Sequence, residues 1–529
     1  MASIRARQAE AIYRMLDLNR AAGGDAASAW QEPWKVLVYD RACQDVISPL
    51  LRVGDLRNRG ITLHLLIGSE REPVPDVPAI YFVMPTAENV VKIGEDCARR
   101  LYDSYHVNFA APVSRELLEE LASLTLRAEA VSQVSQVVDQ HLGYISLEDE
   151  LVDLNVKSSF QRLNDPASTD ANIEALLEQI STAIFSVLAT LGAVPIIRCP
   201  RGGAAQMVAD LLCRRVRDAL QSGANFFADG GSSSGFQRPV LILTERSADM
   251  GVVLQHPWSY RALCHDILGM RLNRLTCADS AEEGGKKQTH TYNLERSDAF
   301  WQAQAGSPFP AVAEAVDSAI QQYRQEVDAI NANAGASNGA VDIHSSLDHS
   351  TRQLQAAMSV LPELQDRKRI IDMHTNVATA LLHLIRNSSL DSFVSAEEAV
   401  LARSISASDK ATVENLITAG TAGSAQDRLR LLSLYFVHCS PPEAELQRLV
   451  GALRTQGVDV RPLAYLQKMA AFRNKVATKT VTDGGRPGVM SSVFNFADKA
   501  SASLRYAYAL LYTSATSLRS SPPLPPQLA

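Results

Sequence analysis

Apolar residues change their spacing several times along this chain, and each change marks an element. Between Ala6 and Leu18, Ile12, Met15 and Leu16 recur at helical spacing, which predicts a short amphipathic helix. Ala21 to Ala29 is a small-residue linker. Val36 to Tyr39, Ile61 to Ile67 and Ala79 to Met84 are short continuous apolar runs. Runs of that kind read as buried strands of a parallel layer. Leu50, Leu51 and Leu56 predict a helix between the first two, ended by Gly60. Pro73, Pro75 and Pro78 keep the chain extended before the third, because proline fixes φ and biases its predecessor away from helix. Glu88 to Leu101 predicts a helix, and Tyr105 to Phe109 a further strand. Ser114 is placed to cap a helix with Leu117, Leu118 and Leu121 on one face. By the ordinary burial of leucine those leucines read as core. His141 to Leu147 reads as extended.

A second α/β pattern follows. Phe160 to Pro166, a helix over 171–192, a strand from Val194 to Arg198, the turn Gly202-Gly203 and another helix lead through the loop Gly230 to Gly235 to a buried strand, Pro239 to Thr244. From His256 the pattern turns helical, with 280–290 as an exposed loop. Val312, Val316, Ile320, Tyr323, Val327 and Ile330 form one long stripe, which the helix breakers of Asn331 to Asp342 interrupt. Helix resumes over Leu354 to Val360. An interior proline costs a helix about 3 kcal/mol or more, so Pro362 predicts a hinge or a helix start. Ile370, His374, Val377, Leu381 and Leu384 continue one face, and 408–466 is helical around Pro441 and Pro442. Beyond Val481 the chain is rich in Gly, Ser and Ala, and its PPLPP fits a polyproline ligand or a tail. The predicted organisation is a helix and linker over 1–30, α/β domains over 31–148 and 149–255, a helical domain over 256–480 and a C-terminal segment over 481–529.

Length and charge narrow the function. At 529 residues the chain exceeds a single core. A net charge of −7 argues against nucleic acid, which favours a basic face. Seven scattered cysteines without a CxxC pair predict reduced thiols in a cytosolic protein. The sequence shows no long unbroken apolar run and no secretory h-region, so any membrane role is expected to be peripheral or through partners.

The chemistry that an enzyme needs is hard to assemble. The first strand runs into Asp40 to Asp45, a turn with two carboxylates and no glycine, where phosphate would be repelled. Gly202-Gly203 belongs to no phosphate-loop motif. His256, Cys264 and His265 lack zinc spacing, His374 reads as a core or groove histidine, and no nucleophile elbow occurs. No cofactor or metal is expected. An α/β enzyme with an unrecognised site remains the alternative to a binding scaffold.

Several stretches resemble one family. KVLVYDR (35–41), ISPLLRVGDLRNRGITLHLLI (47–67) and PDVPAIYFVMPT (75–86) are similar to the N-terminal domain of the Sec/Munc (SM) proteins, above all the Sly-type ER–Golgi branch. AVPIIRCPRGGAAQMVADLL (193–212), HPWSYRALCHDILGMRLNRL (256–275) and LPELQDRKRIIDMHTNVATALL (361–382) extend the resemblance to about residue 480. It implies two parallel-sheet α/β domains and a large helical domain forming an arch. It also implies a non-enzymatic, cytoplasmic regulator of vesicle fusion, held peripherally at ER and Golgi membranes through SNAREs and monomeric. The first domain would take the N-terminal peptide of a syntaxin-like SNARE at Leu117, Leu118, Leu121, Leu142 and Ile145. A helical arm over about 310–390, jointed at Pro362, would hold a vesicle SNARE and the SNARE bundle. Two departures stand out. Glu245 replaces the family's usual Asp, and nothing after Val489 resembles the strands that complete the family's middle sheet.

Overall fold

The computed structural model describes residues 3–19, 34–165, 167–222, 225–227, 238–278, 289–294, 297–335, 343–402, 405–468 and 470. They divide into two compact units, Met1–Asp249 and Met250–Ala471.

The first unit begins with α1 (Ile4–Leu16), capped by the Ser3 hydroxyl, which accepts the Ala6 N–H. Then come β1 (Lys35–Tyr39), α2 (Arg41–Ile47), α3 (Val53–Asn58), β2 (Ile61–Leu66), β3 (Ala79–Val83), α4 (Ala87–Ala98), β4 (Tyr105–Phe109), α5 (Arg115–Arg127) and β5 (Val134–Asp139). The five strands form one parallel sheet in the order β2-β1-β3-β4-β5. Side chains alternate across a sheet. Val36, Val38, Tyr81, Val83, Val107 and Phe109 therefore share one face, where they pack with Val90 and Ile93 of α4 and Leu121 of α5. The alternate residues face α1, which Lys35 holds by donating from Nζ to the Leu16 carbonyl at 2.9 Å. The proline-bearing loop is pinned from inside: Arg71 pairs with Asp96 at 2.9 Å, and the Tyr81 hydroxyl donates to the same carboxylate at 2.7 Å.

The unit continues through β6 (Ile145–Ser146) and β7 (Val152–Asp153), which pair antiparallel, then α6 (Ser159–Asn164), α7 (Asp170–Leu191), β8 (Ile196–Arg198), α8 (Ala204–Gln221) and β9 (Val240–Ile242). By length and composition α7 could cross a membrane. One face of it, Leu177, Ile184, Phe185 and Leu188, packs against Val208 and Leu212 of α8. β8 and β9 are parallel, and Ile197 and Leu241 face that core. The chain expected to complete or lack this sheet lies outside the described residues.

The second unit comprises α9 (Met250–Leu254), α10 (Tyr260–Asp266), the antiparallel pair β10 (Arg274–Ala278) and β11 (Thr289–Asn293), α11 (Ala299–Gln304), α12 (Phe309–Gly335), α13 (Ile343–Ser388), α14 (Leu390–Leu401), α15 (Ala407–Thr418), α16 (Ala425–Cys439) and α17 (Glu443–Thr455). Leu431, Leu432 and Leu434 of α16 are buried among Phe393, Val413, Leu446 and Leu449.

Four local expectations change. The helix predicted between the first two strands is two short ones, α2 and α3, separated at Pro49. The helical reading of 256–275 misses β10, which pairs across to β11. α12 continues through Asn331 to Gly335, so the breakers there do not end it, and 336–342 lie outside the described residues. α13 runs through Pro362 without interruption, so no helix starts there. Its missing N–H still removes one i→i−4 bond at that turn.

Candidate functional site

The most distinctive surface of the first sheet lies at its β5 edge. Ser114 starts α5 by accepting the Leu117 N–H, and Glu116 adds a favourable charge to the first turn. Leu121 is 4% exposed within the sheet's core, with Leu117, Leu124 and Ala128 packed against the same cluster. Leu118, one residue round the helix, is 39% exposed, and Leu126, two turns on, is more exposed still. β5 has a single strand partner among the described residues. Its register, Val137 opposite Val107, turns Val137 to the α5 side, where it remains 40% exposed. Half-buried Val134 and Val113 join the same cluster. An apolar patch built on one helix and an adjacent sheet edge is a docking geometry.

The position of α5 depends on Gly94 of α4. A Cβ there would lie 2.8 Å from Leu124 Cβ, too close for two packed carbons. Gly94→Val is therefore expected to displace α5 and cost about 1–3 kcal/mol, read as a lower denaturant midpoint. An unchanged midpoint would show that α4 and α5 separate freely.

The crevices where α/β folds hold nucleotides are occupied by the chain itself. The strand order places the first switch point between β1 and β3. There the Asp40 carboxylate accepts the Cys43 N–H at 2.8 Å, the Met84 N–H at 2.8 Å and the Asn89 amide at 2.8 Å. A phosphate would need those donors. In the second layer Gly203 caps α8, and Glu245 lies at that helix start, accepting the Ala205 N–H at 3.3 Å. Gly203 leaves room for this carboxylate, since a Cβ would collide with it.

Comparison with known proteins gives the lineage. The family model described as the Sec1 family matches residues 35–505. The chain belongs to the Sec1 family. It is 40% identical to the human Sec1 family domain-containing protein 1 over 522 residues, 93% of this chain and 80% of that protein. It is 37% identical to the SEC1 family transport protein SLY1 of Arabidopsis thaliana, covering 94% and 78%. Among solved structures, Sly1p in complex with an N-terminal peptide of Sed5p matches with a TM-score of 0.70 at 28% identity, over 94% of this chain and 81% of that one. Vps45 in complex with the Qa SNARE Tlg2 shares the fold, with a TM-score of 0.70 over 87% and 77%. The SM resemblance and its Sly-type branch therefore hold, as does the combination of α/β layers with a helical unit.

Within this Sec1-family fold the five expected pocket residues do not form one wall. Leu117, Leu118 and Leu121 share α5. Leu142 and Ile145 are buried, at 1% and 3% exposure. Gln8 of α1 donates to the Leu142 carbonyl at 3.4 Å and the Tyr144 carbonyl at 2.7 Å, which ties this stretch to the α1 side. Val134 packs against the cluster that holds Leu121, and Val137 lies on the same face by register; the continuous apolar runs of the sequence do not reveal β5. The separated valines of VSQVVD are the signal that could have revealed it.

Two histidine sets of the Sec1-family helical unit look catalytic until their surroundings are counted. His256 Nδ1 meets Glu397 at 2.6 Å and Nε2 meets Asp427 at 3.1 Å, so both ring nitrogens are engaged and neither remains for a metal. Burial pulls the His256 pKa down, but its bonds to Asp427 and Glu397 outweigh burial and hold it at about 9. Burial raises the Asp427 pKa, yet the His256 and Ser424 bonds leave it at about 2. The signs follow. His256 contributes stability below its ordinary pKa of 6.5 that is lost as pH rises through about 9. Asp427 contributes stability above 3.8 that is lost as pH falls through about 2. The second unit is expected to be most stable between these limits, with unfolding midpoints falling on the alkaline side in wild type. That fall should shrink in His256→Gln; an equal fall in both would contradict the assignment.

His374 is fully buried between the Tyr260 hydroxyl at 2.9 Å and Asp298 at 2.8 Å, beside Phe300. It joins α13 to α10 and α11 at the base of the α12–α13 hairpin. Arg367 of α13 closes that hairpin with two 2.7 Å bonds to Glu326 of α12.

Proposed function

We propose that this chain is an SM-type regulator of vesicle fusion that binds syntaxin-like SNAREs and promotes SNARE complex assembly in ER–Golgi transport. The exposed apolar patch on α5 and the β5 edge, which we read as a groove, carries the reading, in a chain similar to a protein solved with a SNARE's N-terminal peptide. The groove takes the N-terminal peptide of a syntaxin-like SNARE. Leu121 and Val134 form its floor, and Leu118 and Val137 its walls. The α12–α13 hairpin receives a vesicle SNARE and the SNARE bundle, and bends at the weakened turn of Pro362. The work comes from binding free energy alone, as a monomer, with recruitment to ER and Golgi membranes through the SNAREs. The closed crevices at Asp40 and Glu245 favour this over an α/β enzyme.

A photocrosslinking peptide tests the site. A syntaxin N-terminal peptide bearing a benzophenone is expected to label 113–139. Labelling confined to other parts of the first unit would refute the groove. For the arm, Pro362→Ala restores one helix bond and is expected to stiffen α13 and change the SNARE assembly rate. An unchanged rate with unchanged hydrogen exchange around residue 358 would remove Pro362 as a joint.

A further inference from the structure

Half of the proposed groove rides on β5, an edge strand with one strand partner among the described residues. Edge strands open readily unless something holds their other face. Val137 faces the groove, so Gln136, opposite His106 in the register, faces the reverse side. There its amide donates to the Leu18 carbonyl at 3.1 Å and meets His106 Nδ1 at 3.0 Å. Gln140, just past the strand, donates to Asn108 Oδ1 at 2.8 Å and Asn19 Oδ1 at 2.9 Å. The Asn19 amide completes the set by donating to Asn108 Oδ1 at 3.0 Å.

The end of α1 is shaped for this contact. Leu18 and Asn19 have φ of 60° and 54°, in the left-handed region that non-glycine residues seldom adopt and that a bulky residue adopts only at a cost. Two consecutive left-handed residues turn the chain off the helix and bring the Leu18 carbonyl and the Asn19 side chain to β4 and β5. α1 is in turn fixed to β1 by Lys35 at Leu16 and to the end of α3 by Arg59 at Asp17, 2.7 Å away.

We infer that the N-terminal helix is a positioning element of the SNARE-peptide groove. Its last turn holds β5 from behind through Gln136, Gln140 and Asn19, so docking of α1 and occupancy of the groove are coupled. This rests on the groove being the peptide site. Coupling between sites is reciprocal. Freeing α1 weakens the peptide, and the peptide tightens α1. A factor that lifts α1 would thereby lower SNARE affinity without touching the groove.

The test uses the full chain with two variants. Gln136→Met keeps length and loses the donor. Asn19→Gly keeps the left-handed backbone and loses the side chain. Each is expected to speed hydrogen exchange over 134–139 relative to 79–83 and to weaken a labelled syntaxin N-terminal peptide about tenfold, the scale of one or two net hydrogen bonds. Gln136→Lys, which returns a donor toward Leu18, is expected to recover most of the affinity. Peptide added to wild type is expected to slow exchange at the amides of Asp17, Leu18 and Asn19. Unchanged exchange of β5 in both variants would overturn the inference, as would faster exchange with unchanged affinity. If wild type binds no peptide, the groove assignment fails, while exchange of β5 still decides whether α1 holds the strand.

Discussion

Leu118→Lys is expected to weaken binding of a syntaxin-like N-terminal peptide about 100-fold while the first unit stays folded. Leu118 is 39% exposed, so an ammonium there remains hydrated in the free protein. In the complex it would be stripped of water against an apolar anchor, and the lost apolar contact adds to that penalty. Leu121→Lys is expected to abolish binding too, but with a larger loss of stability. Its side chain is almost fully buried against the sheet, and a lysine there must bend out along the groove floor to keep its charge in water. The two variants thus separate wall from floor. Binding isotherms read the first effect and denaturant midpoints the second. Equal stability in both would contradict the difference in depth, and full affinity in Leu118→Lys would remove it from the wall.

Glu397→Ala is expected to destabilise the second unit by about 3–5 kcal/mol, the scale for breaking a buried ion pair from one side. Glu397 accepts both the His256 ring N–H at 2.6 Å and the His256 backbone N–H at 2.7 Å. Truncation leaves two buried donors without that carboxylate and removes charge support from an imidazolium that Asp427 alone must then hold. Arg430, which donates to the Leu254 and Gln255 carbonyls and to Asp266, sits beside the same stretch and becomes a nearer like charge in effect. Glu397→Gln keeps an acceptor and loses the charge, so its loss should be smaller. Calorimetry of the full chain reads both. Indistinguishable melting of wild type and Glu397→Ala would show that this carboxylate adds nothing to the unit.

How much of this was legible in the chain depended on how deeply each element is buried. β1 and β3 are buried along their whole length and read as continuous apolar runs. α5 announced itself through Ser114 and its leucines. β5 did not, because an edge strand alternates half-buried Val134, Gln136 and Val138 with exposed Ser135, Val137 and Asp139 and so reads as polar chain. Without β5 the sequence offers Leu142 and Ile145, the next apolar words, beside α5, and leaves Val134 and Val137 of the proposed groove unread. Leu142 and Ile145 are apolar for a different reason: they are buried on the α1 side. The carboxylates at Asp40 were visible as an obstacle to phosphate, but not that Asp40 gathers donors from three separate positions. Pro362 reads in the sequence as a hinge or a helix start; α13 is continuous across it, packed along α12 with Arg367 at Glu326, which excludes only the helix start.

The most direct measurement is a fluorescence-polarisation titration of labelled syntaxin N-terminal peptides into the purified chain, with Leu118→Lys and Val137→Lys alongside. Saturable binding to an ER–Golgi syntaxin peptide, lost in both variants while their unfolding midpoints stay near wild type, is the predicted result. Saturable binding that survives both substitutions would place the peptide elsewhere and contradict the α5–β5 groove, and no binding by the folded wild-type chain would contradict recognition of an isolated SNARE peptide altogether.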